Sequence, residues 1–514
     1  MAHTRGADSA PPLAAEPWRG TAPWLALAPW LLVATLCGLL AAWRIYLIGQ
    51  GPDPDTDAYG HYVIARQLLD TPTNLHIHWV WLPLYHLWLA LGVAAGATLD
   101  DVRYVNALAS AFTPLTLLWL LRRSVSERAA PWEHWLPALA AALAAAAPLA
   151  VESGTTAQPE SCFTLLLVGA AALLTSGRLG WAAFLLSLLV LLRYEGWAVA
   201  ACVAALLLVR RARGEALRSG AIACLVSPAL AIGSWVVLRR LSGEPWLDFL
   251  HQNQSFAESA LAVRPRQGSS DLARAIAGVS PAAWLLGAVG AAGLWRGARR
   301  EGLWLWALPL SVLGFLTLGW LNRSHLGLSR HFVALLPFAA VYLAHGVALF
   351  AEGFGALGAR LPAPPLPRWS RAQLTAFAFS LFGGALLLAE LGHLDSRLES
   401  WREHTRTALP DRVLAGSFLR GVPESSLIVC DEASVEVLSD LPRSRFVRPY
   451  LGHGARSTVR ALAATHDLYV LSWADRLLDV ISLGRVVYRD SAARGLVGVH
   501  VAQRPPVQDY SSRQ

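Results

Sequence analysis

Runs of about twenty apolar residues, long enough to cross a bilayer as helices, recur between residues 24 and 391 and are separated by short polar breaks. The pattern predicts spans at residues 24–47, 104–121, 135–151, 162–174, 181–192, 197–209, 221–238, 281–294, 303–321, 332–350 and 374–391. Segment 81–96, WLPLYHLWLALGVAAG, is apolar but short, and its Trp, Tyr and His flanks predict a helix lying at the interface. With that assignment the arginine-rich breaks, such as Arg122 and Arg123 or Arg210, Arg211 and Arg213, all fall on one side. Letting 81–96 cross would flip every later loop and break the positive-inside rule. The expected class is therefore an α-helical polytopic membrane protein with about eleven transmembrane helices, N-terminus cytoplasmic and C-terminus outside.

The pattern changes near residue 393. Strand-like runs SSLIVC (425–430), DLYVLS (467–472) and RVVYRD (485–490) alternate with helix-like stretches around 435–438, 458–464 and 475–481. This predicts a small extracytoplasmic α/β domain over residues 393–514. The expected organisation is a disordered cytoplasmic N-terminus (1–23), a transmembrane domain (24–392) whose first outer loop is 50–103, and that C-terminal domain. The apolar run beginning at residue 24 is too long for a cleaved signal core, so it reads as a retained first span.

Composition sharpens this picture. The chain has 514 residues, 55% of them hydrophobic, with a mean hydropathy of +0.42. Its formal charge of +8 is carried by Arg, since the sequence has no Lys. Because those arginines sit in loops between spans, the charge reads as membrane topology and not as a nucleic-acid surface. The five cysteines form no CxxC pair, which signals neither a disulfide framework nor a thiolate zinc site.

Ionisable residues gather in the predicted outer segments. The stretch PDPDTDAYGHYVIARQLL (52–69) opens with Asp53, Asp55 and Asp57, and Asp57 stands where a helix can begin. These aspartates read either as loop caps or as chemistry. Tyr59, His61 and Tyr62 crowd the same turn, and His61 lies one turn after Asp57 on its face. A carboxylate in a half-dry pocket is a general base for a hydroxyl. Asp57 with His61 is also half of a metal site, but no third ligand is specified, so no cofactor is assigned. Glu160, in GTTAQPESCFTLLL (154–167), enters a returning span and reads as a helix-terminal dipole partner or as a functional charge at membrane depth. Arg193, Tyr194 and Glu195 interrupt LLRYEGWAVA (191–200) as either an ion pair or a phosphate grip. Arg323, Arg330 and His331, in LNRSHLGLSRHFVALLPF (321–338), lie outside against the trend for arginines, which suits a lipid headgroup or a ligand phosphate. His76 and His78 read as interfacial packing.

In order, DAYGHYVIARQLL, LPLYHLWLALGVAAG, VRYVNALASAFTPLTLLWLLRR, APLAVESGTTAQPESCFTLLL, RYEGW and SRHFVALLPF resemble the motifs of the GT-C superfamily of integral-membrane glycosyltransferases. The likeness is to family 39, the protein O-mannosyltransferase and aminoarabinose-transferase type, and covers about residues 25–350. It implies that Asp57 is the first-loop catalytic carboxylate and Glu160 the second-loop acidic residue. It implies that Arg193 and Arg330 bind the donor phosphate, with Tyr59, His61, Tyr194, Glu195 and His331 in support. The chain departs from the pattern at Ala58, where many relatives have a second acidic residue. It departs again at Val80 and Trp81, where a basic residue commonly precedes the Pro-containing motif.

The function so implied is inverting transfer of a sugar from a polyprenyl-phosphate donor to a hydroxyl acceptor (protein, lipid or glycan) at the outer face of a bacterial inner membrane. Membrane lipid is the implied surrounding partner. Two other classes fit the bulk pattern: a lipid-linked sugar flippase, and a non-catalytic membrane protein whose tail binds a partner. A transporter places ionisable groups near mid-membrane and often carries inverted repeats, and the sequence has neither.

Overall fold

The computed structural model describes residues 23–123, 130–216, 219–263, 287–293, 302–322, 324, 328–358, 370–447, 455–473, 480, 483–489 and 496–503. All but the last residue of the expected N-terminal segment 1–23, most of the span at 281–294, most of the helix-like run at 475–481, and Arg323 lie outside these residues.

Helix α1 (Pro23–Ile48) is followed by two helices of the first loop, α2 (Thr56–Asp70) and α3 (Pro83–Ala94). At 12 residues α3 rises only about 18 Å, far less than the roughly 30 Å apolar core of a bilayer. Next come α4 (Leu99–Arg122), α5 (Leu136–Ala146), α6 (Pro148–Gly154), α7 (Glu160–Thr175), α8 (Leu179–Leu192), α9 (Glu195–Ala212), α10 (Ser219–Leu241) and α11 (Asp248–Val263). Helices α12 (Leu303–Leu321), α13 (Leu336–Gly358) and α14 (Arg371–Arg406) follow.

Six described helices are long and apolar enough to cross a membrane, or seven if the pair bent by 57° between Ala146 and Pro148 is one span. The expectation of about eleven is thus not reached on length and composition. The physical reason is local. Helices α7 and α8 have only 16 and 14 residues, and α9 carries Glu195, Arg210 and Arg211 in its 18. These helices nonetheless pack side by side with α4 and α10, and one apolar core runs through α2, α3, α4, α5, α7, α8, α9, α12 and α13. The first-loop helices are therefore built into the bundle.

Helix α14 runs unbroken for 36 residues, about 54 Å, through position 393 and well past any bilayer width. It leads to α15 (Pro410–Arg420), β1 (Leu427–Cys430), α16 (Ala433–Ser439), β2 (Phe446–Val447), α17 (Ala455–Ala463), β3 (Leu468–Trp473), β4 (Arg485–Arg489) and β5 (Leu496–Val501). The five strands form one sheet in the order β2-β1-β3-β5-β4, with β2, β1 and β3 parallel and β5 antiparallel to both β3 and β4. Apolar clusters cover both faces. Three strands coincide with the strand-like runs in the sequence. Strands β2 and β5 were not anticipated: the first has two residues, and the second, LVGVHV, carries a mid-strand Gly.

Candidate active site

The three aspartates at the start of α2 do three different jobs. Asp53 is completely buried. Its Oδ1 accepts from Asp55 N at 2.9 Å, and its Oδ2 accepts from Ala157 N at 2.7 Å, 104 residues away. Arg103, also buried, stands 3.8 Å from Asp53 and donates to Thr155 O (2.8 Å) and Gly51 O (2.9 Å). This pair joins the loop before α2 to the 155–158 segment. Burial raises the Asp53 carboxyl to about 6, with Arg103 pulling the other way. The helix N-cap is Asp55, whose side chain accepts from Asp57 N at 3.0 Å. Asp57, where the sequence placed the start of the helix, is already in its first turn, which leaves its carboxylate without a capping task.

That carboxylate pairs with Arg330, from the 3-10 helix Ser329–Leu335 at the head of α13. The same guanidinium pairs with Asp55, and its Nε lies 3.6 Å from Glu160 Oε1. Glu160 is the first residue of α7 and only 3% exposed. It accepts from Arg193 Nη1 at 2.7 Å, and Arg193 grips Glu195 through Nη2 (2.7 Å) and Nε (3.2 Å). Asp57, Glu160, Arg193 and Arg330 thus meet in one cluster at neighbouring ends of α2, α7, α8 and α13. Four carboxylates face two guanidinia there, so negative charge is in excess. All three guanidinium nitrogens of Arg193 point at carboxylates, so the ion-pair reading of Arg193–Glu195 describes the geometry. The nitrogens of Arg330 face carboxylates too: Asp55, Asp57 and, at 3.6 Å, Glu160. Glu160 Oε2 is buried without a partner among the described residues. Burial raises the Asp57 carboxyl above its ordinary value, and the charge of Glu432 adds to this.

The supporting residues sit around this cluster. The Tyr59 hydroxyl donates to Asp53 O at 3.0 Å, and the Tyr194 hydroxyl donates to Val80 O at 2.7 Å. His331 follows Arg330 in the same 3-10 turn. His61 does not pair with Asp57 despite the helical spacing. Its Nδ1 lies 2.8 Å from His86 Nε2, and His86 Nδ1 lies 2.8 Å from His78 Nδ1. These form a chain of three buried imidazoles wedged against Trp81, Tyr85 and Trp235. Burial pushes His61 down to about 3 and His78 to about 4, so both stay neutral. The second ligand of the metal reading is therefore engaged elsewhere. No grouping of three or more His, Cys, Asp or Glu suited to a metal ion occurs among the described residues.

Sequence reasoning missed several residues that hold the site. Asn106 Nδ2 reaches Thr156 O (2.8 Å), Gln158 O (2.7 Å) and the Tyr85 hydroxyl (3.2 Å). Arg397 of α14 pairs with Glu152 at 2.8 Å, and Trp401 donates to Thr155 Oγ1 at 2.9 Å. Arg239 pairs with Glu244 and holds the loop carbonyls of Leu75 (2.9 Å) and Trp79 (3.1 Å). The available signal for Arg103 and Asn106 was a polar residue inside an otherwise apolar span, VRYVNALAS.

Solved membrane proteins share this fold at low sequence identity. ArnT from Cupriavidus metallidurans, in a crystal structure bound to undecaprenyl phosphate, aligns with a TM-score of 0.56 at 14% identity over 92% of this chain and 98% of its own. Its apo-state structure gives 0.56 at 13% identity over the same shares. The archaeal oligosaccharyltransferase AglB from Archaeoglobus fulgidus, in complex with an inhibitory peptide and a dolichol-phosphate, gives 0.52 at 13% identity over 86% of this chain and 69% of its own. At such identities the likeness is one of fold. No family model matches the chain, and no curated protein matches its sequence.

Proposed function

We propose that this chain is an inverting glycosyltransferase that moves a sugar from a polyprenyl-phosphate donor to a hydroxyl acceptor at the outer face of a bacterial inner membrane. The observation that carries the reading is the meeting of Asp57 and Arg330, 273 positions apart, above the buried Glu160–Arg193–Glu195 chain. Its fold neighbours were solved with undecaprenyl phosphate and dolichol-phosphate, which supports a lipid-phosphate donor.

The reaction needs little from the protein beyond a base and a cation. The acceptor oxygen attacks the anomeric carbon opposite the phosphate, the bond from that carbon to the phosphate oxygen breaks, and the lipid phosphate departs with the bonding pair. Attack from the opposite face inverts the anomeric centre. Asp57 takes the acceptor proton. Arg330 turns from Asp55 toward the phosphate and stabilises its growing charge. Arg193 contributes by holding Glu160 and Glu195, and Glu160 in turn fixes the position of Arg330. Charge-assisted contacts of this kind are strong because the site is largely dry. The apolar helices around the mouth take the isoprenoid chain.

A panel of radiolabelled polyprenyl-phosphate sugars offered to the purified protein tests the reading. Label leaving at least one lipid donor for a hydroxyl acceptor is expected. Binding or transbilayer movement of every donor, with no sugar transferred from any, would replace the reading with that of a flippase.

A further inference from the structure

Four non-glycine residues among the described residues have positive φ, and two of them lie in a pair of turns bonded to each other. Trp79 (φ 49°, ψ −116°) closes the 3-10 turn Leu75–His78, and Leu247 (φ 58°) lies in the turn between α10 and α11. His76 joins the two turns, with Nε2 3.0 Å from Ser242 O and Nδ1 2.8 Å from Glu244 Oε1. Backbone of this kind suits glycine, and a bulky side chain keeps it only where the surroundings fix it.

The Trp79 turn is fixed from two sides. Arg239 of α10, only 1% exposed, donates to Leu75 O at 2.9 Å and to Trp79 O at 3.1 Å. Opposite, the Tyr194 hydroxyl donates to Val80 O at 2.7 Å, and Tyr194 adjoins Arg193 of the charged cluster. The turn is therefore a clamped rim beside that cluster.

What the clamp holds in the open is an indole. Trp79 is 39% exposed. Its ring meets Trp81 (5.7 Å between centroids) and Phe256 of α11 (4.9 Å) edge-on, and Trp81 rests on His61 of α2 (4.3 Å). Phe256 is exposed to the same extent. Gln252 and Asn253 stand one turn before Phe256 on its face of α11, and Thr73, Asn74 and His76 are exposed just before Trp79. Aromatic rings bordered by amides and hydroxyls match the two sides of a sugar. Its ring C–H groups press on the indole, and its hydroxyls, each a donor and an acceptor, meet amides that are both as well. A Trp that only anchors a chain at a membrane interface gains nothing from a strained backbone.

We propose that the Trp79 rim is a saccharide-binding site, on which an acceptor glycan lays a sugar ring and from which it extends toward the Asp57–Arg330 cluster. The site deepens the transfer reading by giving the acceptor's class, and rests on that reading for the word acceptor alone.

Calorimetric titration of the full-length protein in lipid nanodiscs with a panel of short neutral oligosaccharides, gluco-, manno-, galacto- and arabino-configured, tests the site without any sugar donor. The parent binds at least one of them saturably. Trp79→Ala and Trp79→Gly bind it about fivefold or more weakly, and Trp79→Phe retains part of the affinity. Thermal unfolding separates the ring from the strain: both small variants lose the ring, only glycine relieves the backbone, and Trp79→Gly unfolds above Trp79→Ala. Three results overturn the proposal. They are no saturable binding of any oligosaccharide by the parent, unchanged affinity in monodisperse Trp79→Ala, which leaves the indole a membrane anchor, and Trp79→Gly unfolding no higher than Trp79→Ala. Glycan binding with no sugar transferred from any donor keeps the saccharide site and strikes the transfer reading alone.

Discussion

Arg330 and Asp57 form an ion pair across 273 residues of chain, at the point where the first turn of α2 meets the head of α13. The elements that carry the clustered residues are joined by polar contacts between residues far apart in the chain. The site is therefore a product of the bundle's assembly and not of any single loop.

The three aspartates of the first loop should separate cleanly when replaced. Asp53→Ala removes the acceptor for two backbone amides and the partner of buried Arg103, and should cost about 3 kcal/mol or more. Asp55→Ala loses the helix cap, worth about 1 kcal/mol. Asp57→Ala, in the first turn and partly exposed, should leave the unfolding temperature nearly unchanged. Thermal unfolding of the three variants in one detergent gives the ranking, and equal losses would show that the roles are not divided.

Replacing Arg193 should act first on stability. Arg193→Ala leaves Glu160 and Glu195 buried without their shared cation, at a cost of about 3–5 kcal/mol. Adding Glu195→Gln to that variant should recover part of the loss, because one buried charge then disappears. A double-mutant cycle on the unfolding temperature measures this, and strict additivity would count against the coupled chain.

The histidine chain makes a prediction about acid. His61 and His78 are depressed to about 3 and about 4, below the 6.5 of an unfolded chain. The folded state therefore excludes protons that the unfolded state binds. Their contribution is complete above about pH 6.5 and is lost as the pH falls toward 4. Asp53, raised to about 6 from 3.8, has the opposite sign: its contribution fades as the pH rises through that interval. Unfolding temperature should drop on acidification from pH 7 to 4.5, and less so in a His61→Phe, His78→Phe double variant. An identical slope in both proteins would remove the imidazole chain as the cause.

Gly196 explains the glycine of RYEGW. A Cβ there would fall inside the backbone of Leu189, in the last turn of α8, which no rotamer change can relieve. Gly196→Ala should cost roughly 3 kcal/mol by forcing α8 and α9 apart next to Glu195. Expression and thermal stability of this variant, set against Gly384→Ala, where a Cβ meets nothing within 4 Å, supply the check.

Part of the candidate cluster was legible from where its charges fall. Glu160 stands at the entrance of a span, Arg193 interrupts an apolar run, Arg330 goes against the trend for arginines, and Asp57 lies in the polar stretch after the first span; the cost of charge at membrane depth makes such positions informative. What could not be read was the partnering. Helical spacing placed His61 with Asp57, yet the imidazole is held by His86, a residue 25 positions away that looked like part of an interfacial stripe. Arg193 was open between an ion pair and a phosphate grip, because pairing with Glu160 depends on how α7 and α8 pack. The span count suffered from length. Short helices such as α7 and α8 satisfy an apolar pattern without reaching the width of a bilayer. The seat of the C-terminal domain on α2 was invisible, since α16 is a seven-residue helix whose apolar face has no distinctive period.

The most direct test is a matched assay of the parent and Asp57→Asn in nanodiscs, following labelled sugar from its polyprenyl-phosphate carrier and the anomeric configuration of the product. Inverted product from the parent, with turnover reduced by about a hundredfold or more in the folded Asp57→Asn variant, is the expected result. Equal turnover by the two proteins, or product with retained configuration, would contradict the assignment of Asp57 as the base in a single in-line displacement.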